Sequence, residues 1–158
     1  MDKLEYIPGD LVMTNGVPLG TSKNVVYRVA ASDPSKTLKL DNGTVLKGTV
    51  RLENLEGAKF GEKGYLLGDC CAWVKDIIPI NLVPAILEKN GWRTQNRWYY
   101  YLDVAEGFIS YIGIDFKHKS NKGHLYVEVD GNNMVEIRYC HELQHLLYGL
   151  GLNSEMEV

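Results

Sequence analysis

The chain has 158 residues, of which 45% are hydrophobic and 23% charged, enough apolar material for a core; disorder is excluded as its main state. Lys and Arg total 17 against 20 Asp and Glu, a net charge of −3, which argues against a strongly basic nucleic-acid binder. There is no uninterrupted apolar run of the length a membrane span needs, roughly 18 residues or more, and Met1-Asp2-Lys3-Leu4-Glu5 is not a secretory leader, so the expected compartment is the cytoplasm.

Charge and aromatics divide the chain. Residues 1–78 carry 10 basic and 10 acidic side chains, and residues 79–158 carry 7 and 10. Five of the 16 aromatics precede residue 79 and 11 follow it. Two domains are expected, 1–78 and 79–158. Cys70, Cys71 and Cys140 are an odd set with no disulfide framework, and buried reduced thiols are expected.

The first half reads as short strands separated by strong turns. A strand is expected at Asp10 to Thr14, a loop at Asn15 to Gly20 and a second strand at Asn24 to Ala31. Asp33-Pro34-Ser35 reads as a turn. Asp41-Asn42-Gly43, with alternation on either side, predicts a hairpin with a type I′ turn, since that turn requires positive φ at both central residues. Gly48 marks a bulge in the strand that continues to Leu52, and Leu66 to Val74 supplies a further apolar stretch. Together these predict a small SH3-like β-barrel.

The second half opens with Asn81 as an N-cap, a short helix from Leu82 to Lys89, and Asn90-Gly91 as its stop. Arg97 to Leu102, Phe108 to Phe116, His124 to Val129 and Met134 to Ile137 read as strands. Lys117 to Gly123 is a polar hairpin loop and Asp130-Gly131-Asn132-Asn133 a tight turn. The last element, Arg138 to Leu150, places Leu143, Leu146, Leu147 and Leu150 at i, i+3, i+4 and i+7, an amphipathic helix. The fold class is therefore α+β: a β-rich N-terminal domain, then an antiparallel meander with a lead-in helix and a terminal helix.

One stretch speaks to chemistry. His141-Glu142-Leu143-Gln144-His145 matches H-E-x-x-H, in which two imidazoles one helical turn apart reach a single zinc ion and the Glu activates the bound water. With 4 His and 11 Glu in 158 residues, chance produces this pattern less than about 1% of the time. Against it, only 13 residues follow His145 and no further His occurs among them, whereas a catalytic zinc needs a third protein ligand. Glu155, Glu157, His118 and His124 are the remaining candidates. The preferred reading is a structural His pair, with a zinc peptidase using His141, His145 and Glu142 as the alternative.

The segments Leu52 to Gly57, Ile78 to Trp92 and His141 to Leu150 resemble a group of uncharacterised small proteins of gut anaerobes, their prophages and phages. Those proteins share a β-rich N-terminal part, an I-P-L-T-x-x-I-L-x-x-N-G-F linker and an H-x-L-Q-N-L-Y-x-A-L-T-G ending. The place of His145 is usually Asn in that pattern and the place of Glu142 is variable. This chain departs from it by an extra stretch, roughly Ala58 to Lys75. The resemblance implies phage or mobile-element biology and no particular reaction.

Further candidates come from the aromatic second half. Trp92, Arg97 and Trp98, with Tyr99 to Tyr101, are candidates for a stacking surface for a base or nucleotide, the preferred alternative being that alternate aromatics pack into the sheet core and the others cover its outer face. Lys117 and Lys119 lie in a basic hairpin that could meet a phosphate or an acidic partner, a solvated loop tip being the preferred alternative. The expected function is a non-enzymatic phage or prophage binding protein whose partner is a host protein, a virion protein or a small nucleotide, with no cofactor. A virion structural or assembly component is a further alternative. Oligomeric state is not readable from the sequence.

Overall fold

The computed structural model describes residues 5–16, 19–20, 23–105 and 107–158. Met1 to Leu4, part of the stretch read as not being a leader, and Val17-Pro18 of the expected first loop lie outside the described residues. The chain divides into two compact units, Met1–Ile80 and Asn81–Val158. Both are built on antiparallel sheets, so the fold is α+β.

The first unit holds β1 (Leu11–Thr14), β2 (Val26–Lys39), β3 (Val45–Glu53), β4 (Cys70–Trp73) and β5 (Ile77–Pro79). Their order across the sheet is β4-β3-β2-β1-β5, and a single 3₁₀ turn, Val74–Asp76, joins β4 to β5. Alternate residues of these strands face one cluster, with Val12, Tyr27, Val29, Val50, Leu52 and Ala72 all nearly inaccessible. That is the period-2 burial expected where one sheet face covers a core. The expected closed barrel does not form. β5 pairs with β1 and ends the sheet, and β4 ends it on the other side. Among the described residues these terminal strands, of four and three residues, pair only with their inner neighbours β3 and β1.

Two expected turns are realised differently. Asp33-Pro34-Ser35 does not turn the chain but lies inside β2, at a register shift between Asp33 and Thr37 opposite Gly48. The Asp33 carboxylate accepts bonds from the Ser35 backbone and hydroxyl, so local Asx chemistry is satisfied as a bulge while long-range pairing with β3 continues on both sides. The β2–β3 hairpin is not type I′. Leu40 N–H donates to Thr44 O and Gly43 N–H to Leu40 O, and of the loop residues only Gly43 has positive φ, 85°. This is a three-residue loop ending in a left-handed glycine.

Asparagine serves as a side-chain strand partner in the long β3–β4 connection. The Asn54 amide donates to Leu66 O at 2.7 Å and accepts from Leu66 N–H at 2.9 Å. Tyr27 hydroxyl donates to Gly64 O, tying the same loop to β2. Of the cysteines, Cys140 is buried, Cys70 half-buried and Cys71 exposed, so the buried-thiol expectation fails at Cys71. It lies on the alternate face of β4 from Ala72, which points into the core.

The second unit begins with α1 (Pro84–Lys89), which has Val83 at the N-cap and Pro84 at the first helical position. Asn81 is not the cap. It forms an isolated antiparallel bridge with Tyr139, and Leu82 N–H donates to Arg138 O. The meander follows as β6 (Arg93–Thr94), β7 (Tyr99–Asp103), β8 (Tyr111–Asp115), β9 (Leu125–Val129) and β10 (Asn132–Ile137), each strand paired with its sequence neighbour. The left-handed pair absent from Asn42-Gly43 occurs here: Asp130 (φ 51°) and Gly131 (φ 85°) form the two-residue link between Val129 and Asn132. α2 (Cys140–Gly149) closes the unit. Its buried residues are Cys140, His141, Leu143, Gln144 and Leu147, while Leu146 and Leu150 are half-buried. The apolar stripe is thus rotated from the expected one towards the helix start. The tail is tied to α1, with Glu157 N–H donating to Asn90 Oδ1 and Lys89 Nζ donating to Val158 O. Among the described residues no helix is long and apolar enough to cross a membrane.

Candidate functional site

The H-E-x-x-H segment forms the first turns of α2. His141 is 4% exposed, stacks on Tyr139 with centroids 5.8 Å apart, and meets half-buried His145 edge-on at 5.5 Å. Glu142 is engaged elsewhere. Its Oε1 accepts the backbone N–H of Arg138 at 3.0 Å and of Tyr139 at 2.9 Å. That is the reach-back half of a capping box, which satisfies donors that the helix start leaves open and places a negative charge where the helix dipole favours it.

Of the candidate third ligands, His118 Nδ1 lies 2.9 Å from Asp115 Oδ2 and His124 Nδ1 lies 3.7 Å from Glu136, while the backbone N–H groups of Glu155 and Glu157 donate to Asn153 and Asn90. Among the described residues no three His, Cys, Asp or Glu side chains converge to hold a metal. His141 and His145, among the described residues, supply two imidazoles, whereas a catalytic zinc takes a third protein ligand and a base facing the metal.

The candidate stacking residues separate. Trp92 is 5% exposed, and its backbone N–H donates to Leu87 O at the end of α1. It belongs to the core rather than to a binding surface, because its position just after the helix directs the indole inward. Arg97 is exposed on the β6–β7 turn, in the left-handed region (φ 66°), and its N–H donates to Thr94 Oγ1. Trp98 and Lys117 do come together, with the ammonium 5.4 Å from the indole centroid. His118 meets the same indole edge-on at 5.5 Å. Lys119 is exposed on the same loop. Asp115 organises this corner by accepting the backbone N–H groups of Lys117 and His118. Partial burial pushes its carboxyl up, but these bonds and the His118 ring outweigh that and hold it below its usual range.

Next to this corner, across the edge-on Trp98–Tyr99 contact at 6.2 Å, lies the face of the meander opposite its core. Tyr100, Ile112, Ile114, Leu125 and Val127 are buried on one side. The cross-strand register therefore assigns Tyr99, Tyr101 and Asp103, then Tyr111, Gly113 and Asp115, then Tyr126 and Glu128, to the other. Tyr99 lies across this face, its hydroxyl donating to Glu128 Oε2 at 2.8 Å from two strands away. Gly113 makes that path possible, since a Cβ there would collide with the Tyr99 hydroxyl. Burial and the Glu128 carboxylate together raise the Tyr99 phenol well above its usual pKa, so it remains a donor. At the rim, Arg93 pairs with Asp103 and lies 5.2 Å over the Tyr101 ring.

Sequence reasoning placed alternate aromatics of Tyr99 to Tyr101 on an outer sheet face but did not join Tyr111, Gly113 and Asp115 to them, although a signal existed. Ile112 and Ile114 alternate with Tyr111, Gly113 and Asp115, and once the isoleucines are assigned inward the others must face out.

No family model, no curated protein and no solved structure matches the chain.

Proposed function

We propose that the protein is a non-enzymatic binding protein of phage or prophage type, acting in the host cytoplasm on a host or phage protein. The observation that carries this reading is the tyrosine-lined outer face of the second sheet. Four half-exposed tyrosines, Tyr99, Tyr101, Tyr111 and Tyr126, share it with carboxylates. Tyrosine supplies large contact area with little rotamer entropy to lose, and it is enriched where protein surfaces meet. Tyr99 is held in place by Glu128 and by the gap at Gly113, so its ordering cost is met before a partner arrives.

The diversion of Glu142 into a helix cap supports the non-enzymatic side of the proposal. The phage context rests on the linker and C-terminal resemblance. For the first unit, we propose an open SH3-like variant. The strand order β4-β3-β2-β1-β5 and the 3₁₀ turn before β5 support it.

Site-specific photo-crosslinking tests the binding reading. A photoreactive residue replacing Tyr101 should yield one discrete adduct, identified by mass spectrometry as a single host or phage protein. The same residue at Asn42, on an exposed hairpin tip, should not. Matching adduct patterns from the two positions would overturn the reading.

A further inference from the structure

We propose that an extended, lysine- or arginine-bearing segment of the partner protein adds to the second sheet as a sixth strand alongside β10. This rests on the binding reading above and specifies the partner's chemistry.

The meander has two ends. β6 is two residues long, whereas β10 has six, of which the first five are exposed. Met134 is 59% exposed and Val135 39%. A terminal strand presents a row of backbone donors and acceptors on its outer side, and an extended peptide can pair with that row. Edge strands are commonly guarded by Lys or Pro. β10 has neither, only Glu136 and a register shift between Asn133 and Val135.

Charge selects the occupant. Between Leu125 and Ile137 there are three carboxylates, Glu128, Asp130 and Glu136, and no Lys or Arg. The −3 of the β9–β10 hairpin therefore equals the −3 of the whole chain. Asp130 accepts the Ser110 and Tyr111 N–H groups, and Glu128 accepts the Tyr99 hydroxyl. Glu136 lies opposite Tyr126 on the outer face, 3.7 Å from His124 Nδ1, and its side chain is still 41% exposed.

An added strand would set every second side chain beside Glu136, with Tyr126 one strand further in on the same face. A long cationic side chain there gains the cross-strand carboxylate and extends over it towards the Tyr126 ring. The same chemistry already operates at the opposite rim, where Arg93 lies over Tyr101 and Lys117 over Trp98. A second copy of β10 would instead bring two acidic hairpins together, and a nucleic acid would meet like charge.

The full-length protein is titrated with a short capped peptide of alternating lysine and threonine, and with its glutamate and threonine counterpart. The lysine peptide should bind and slow amide exchange in β10, and added salt should weaken it. Glu136→Lys should weaken that binding by about tenfold or more and shift preference to the glutamate peptide, while the exposed site leaves thermal unfolding unchanged. Equal affinity for the two peptides, protection outside β9 and β10, or an unaltered Glu136→Lys titration would overturn the proposal. So would a wild-type dimer in light scattering whose formation slows amide exchange in β10, which would assign the edge to a second copy. A discrete adduct from position 101 without peptide affinity would retire the edge proposal and leave the binding reading standing.

Discussion

Glu142 illustrates how one residue acquires a role its motif does not predict. A carboxylate at the third position of a helix can turn outward to a ligand or back to the helix start, and here two backbone N–H groups hold it back. Glu142→Ala should therefore cost about 1 kcal/mol in urea denaturation, and Glu142→Gln, which keeps an acceptor, should recover most of it. A general base would show the opposite pattern, with unchanged stability and lost turnover. Cys140 gives a second test at this scale. Burial pushes its thiol from the usual 9.0 up to about 12. The folded state thus keeps a proton that the unfolded chain releases, and its contribution is complete below pH 9 and declines as pH rises towards 12. The urea midpoint should fall more steeply across that range in wild type than in Cys140→Ala.

At the scale of elements, the sequence resolved types better than edges and faces. The lead-in helix, four of the five meander strands and the terminal helix overlap the stretches that periodicity and turn residues assign, whereas β6 falls outside them and β10 starts inside the expected turn. The buried stripe of α2 does not follow leucine spacing alone. Cys140 and Gln144 join Leu143 and Leu147, while Leu146 and Leu150 turn partly outward. Packing against the rest of the unit chooses the face, and leucines occupy more than one face of this helix. Leu143→Ala should cost about 2–5 kcal/mol, as in a filled core, and Leu146→Ala clearly less, both read from denaturation midpoints. The turns show the same division. Asp33-Pro34-Ser35 carries turn chemistry, yet pairing on both sides makes it a bulge. Asn42-Gly43 and Asp130-Gly131 carry similar hairpin signals, but only the second adopts the left-handed pair.

At the scale of the whole molecule, each unit has its own buried set. Leu52 and Val50 lie in the cluster of the first, and Leu143 and Ile112 are buried in the second. In native-state amide exchange of the full chain, Leu52→Ala should accelerate β1 to β5 ahead of the meander, and Leu143→Ala the reverse. The α+β class and the aromatic, acidic character of the second half were legible in the residues alone, because composition and period-2 or helical patterning are local properties. Long-range geometry decided the rest. It left the first sheet open, moved Trp92 into the core, and brought Trp98 to Lys117. It also turned Glu142 into a cap, laid Tyr99 over Gly113 and gathered four tyrosines on one face, since register and burial depend on partners that no short window of sequence contains.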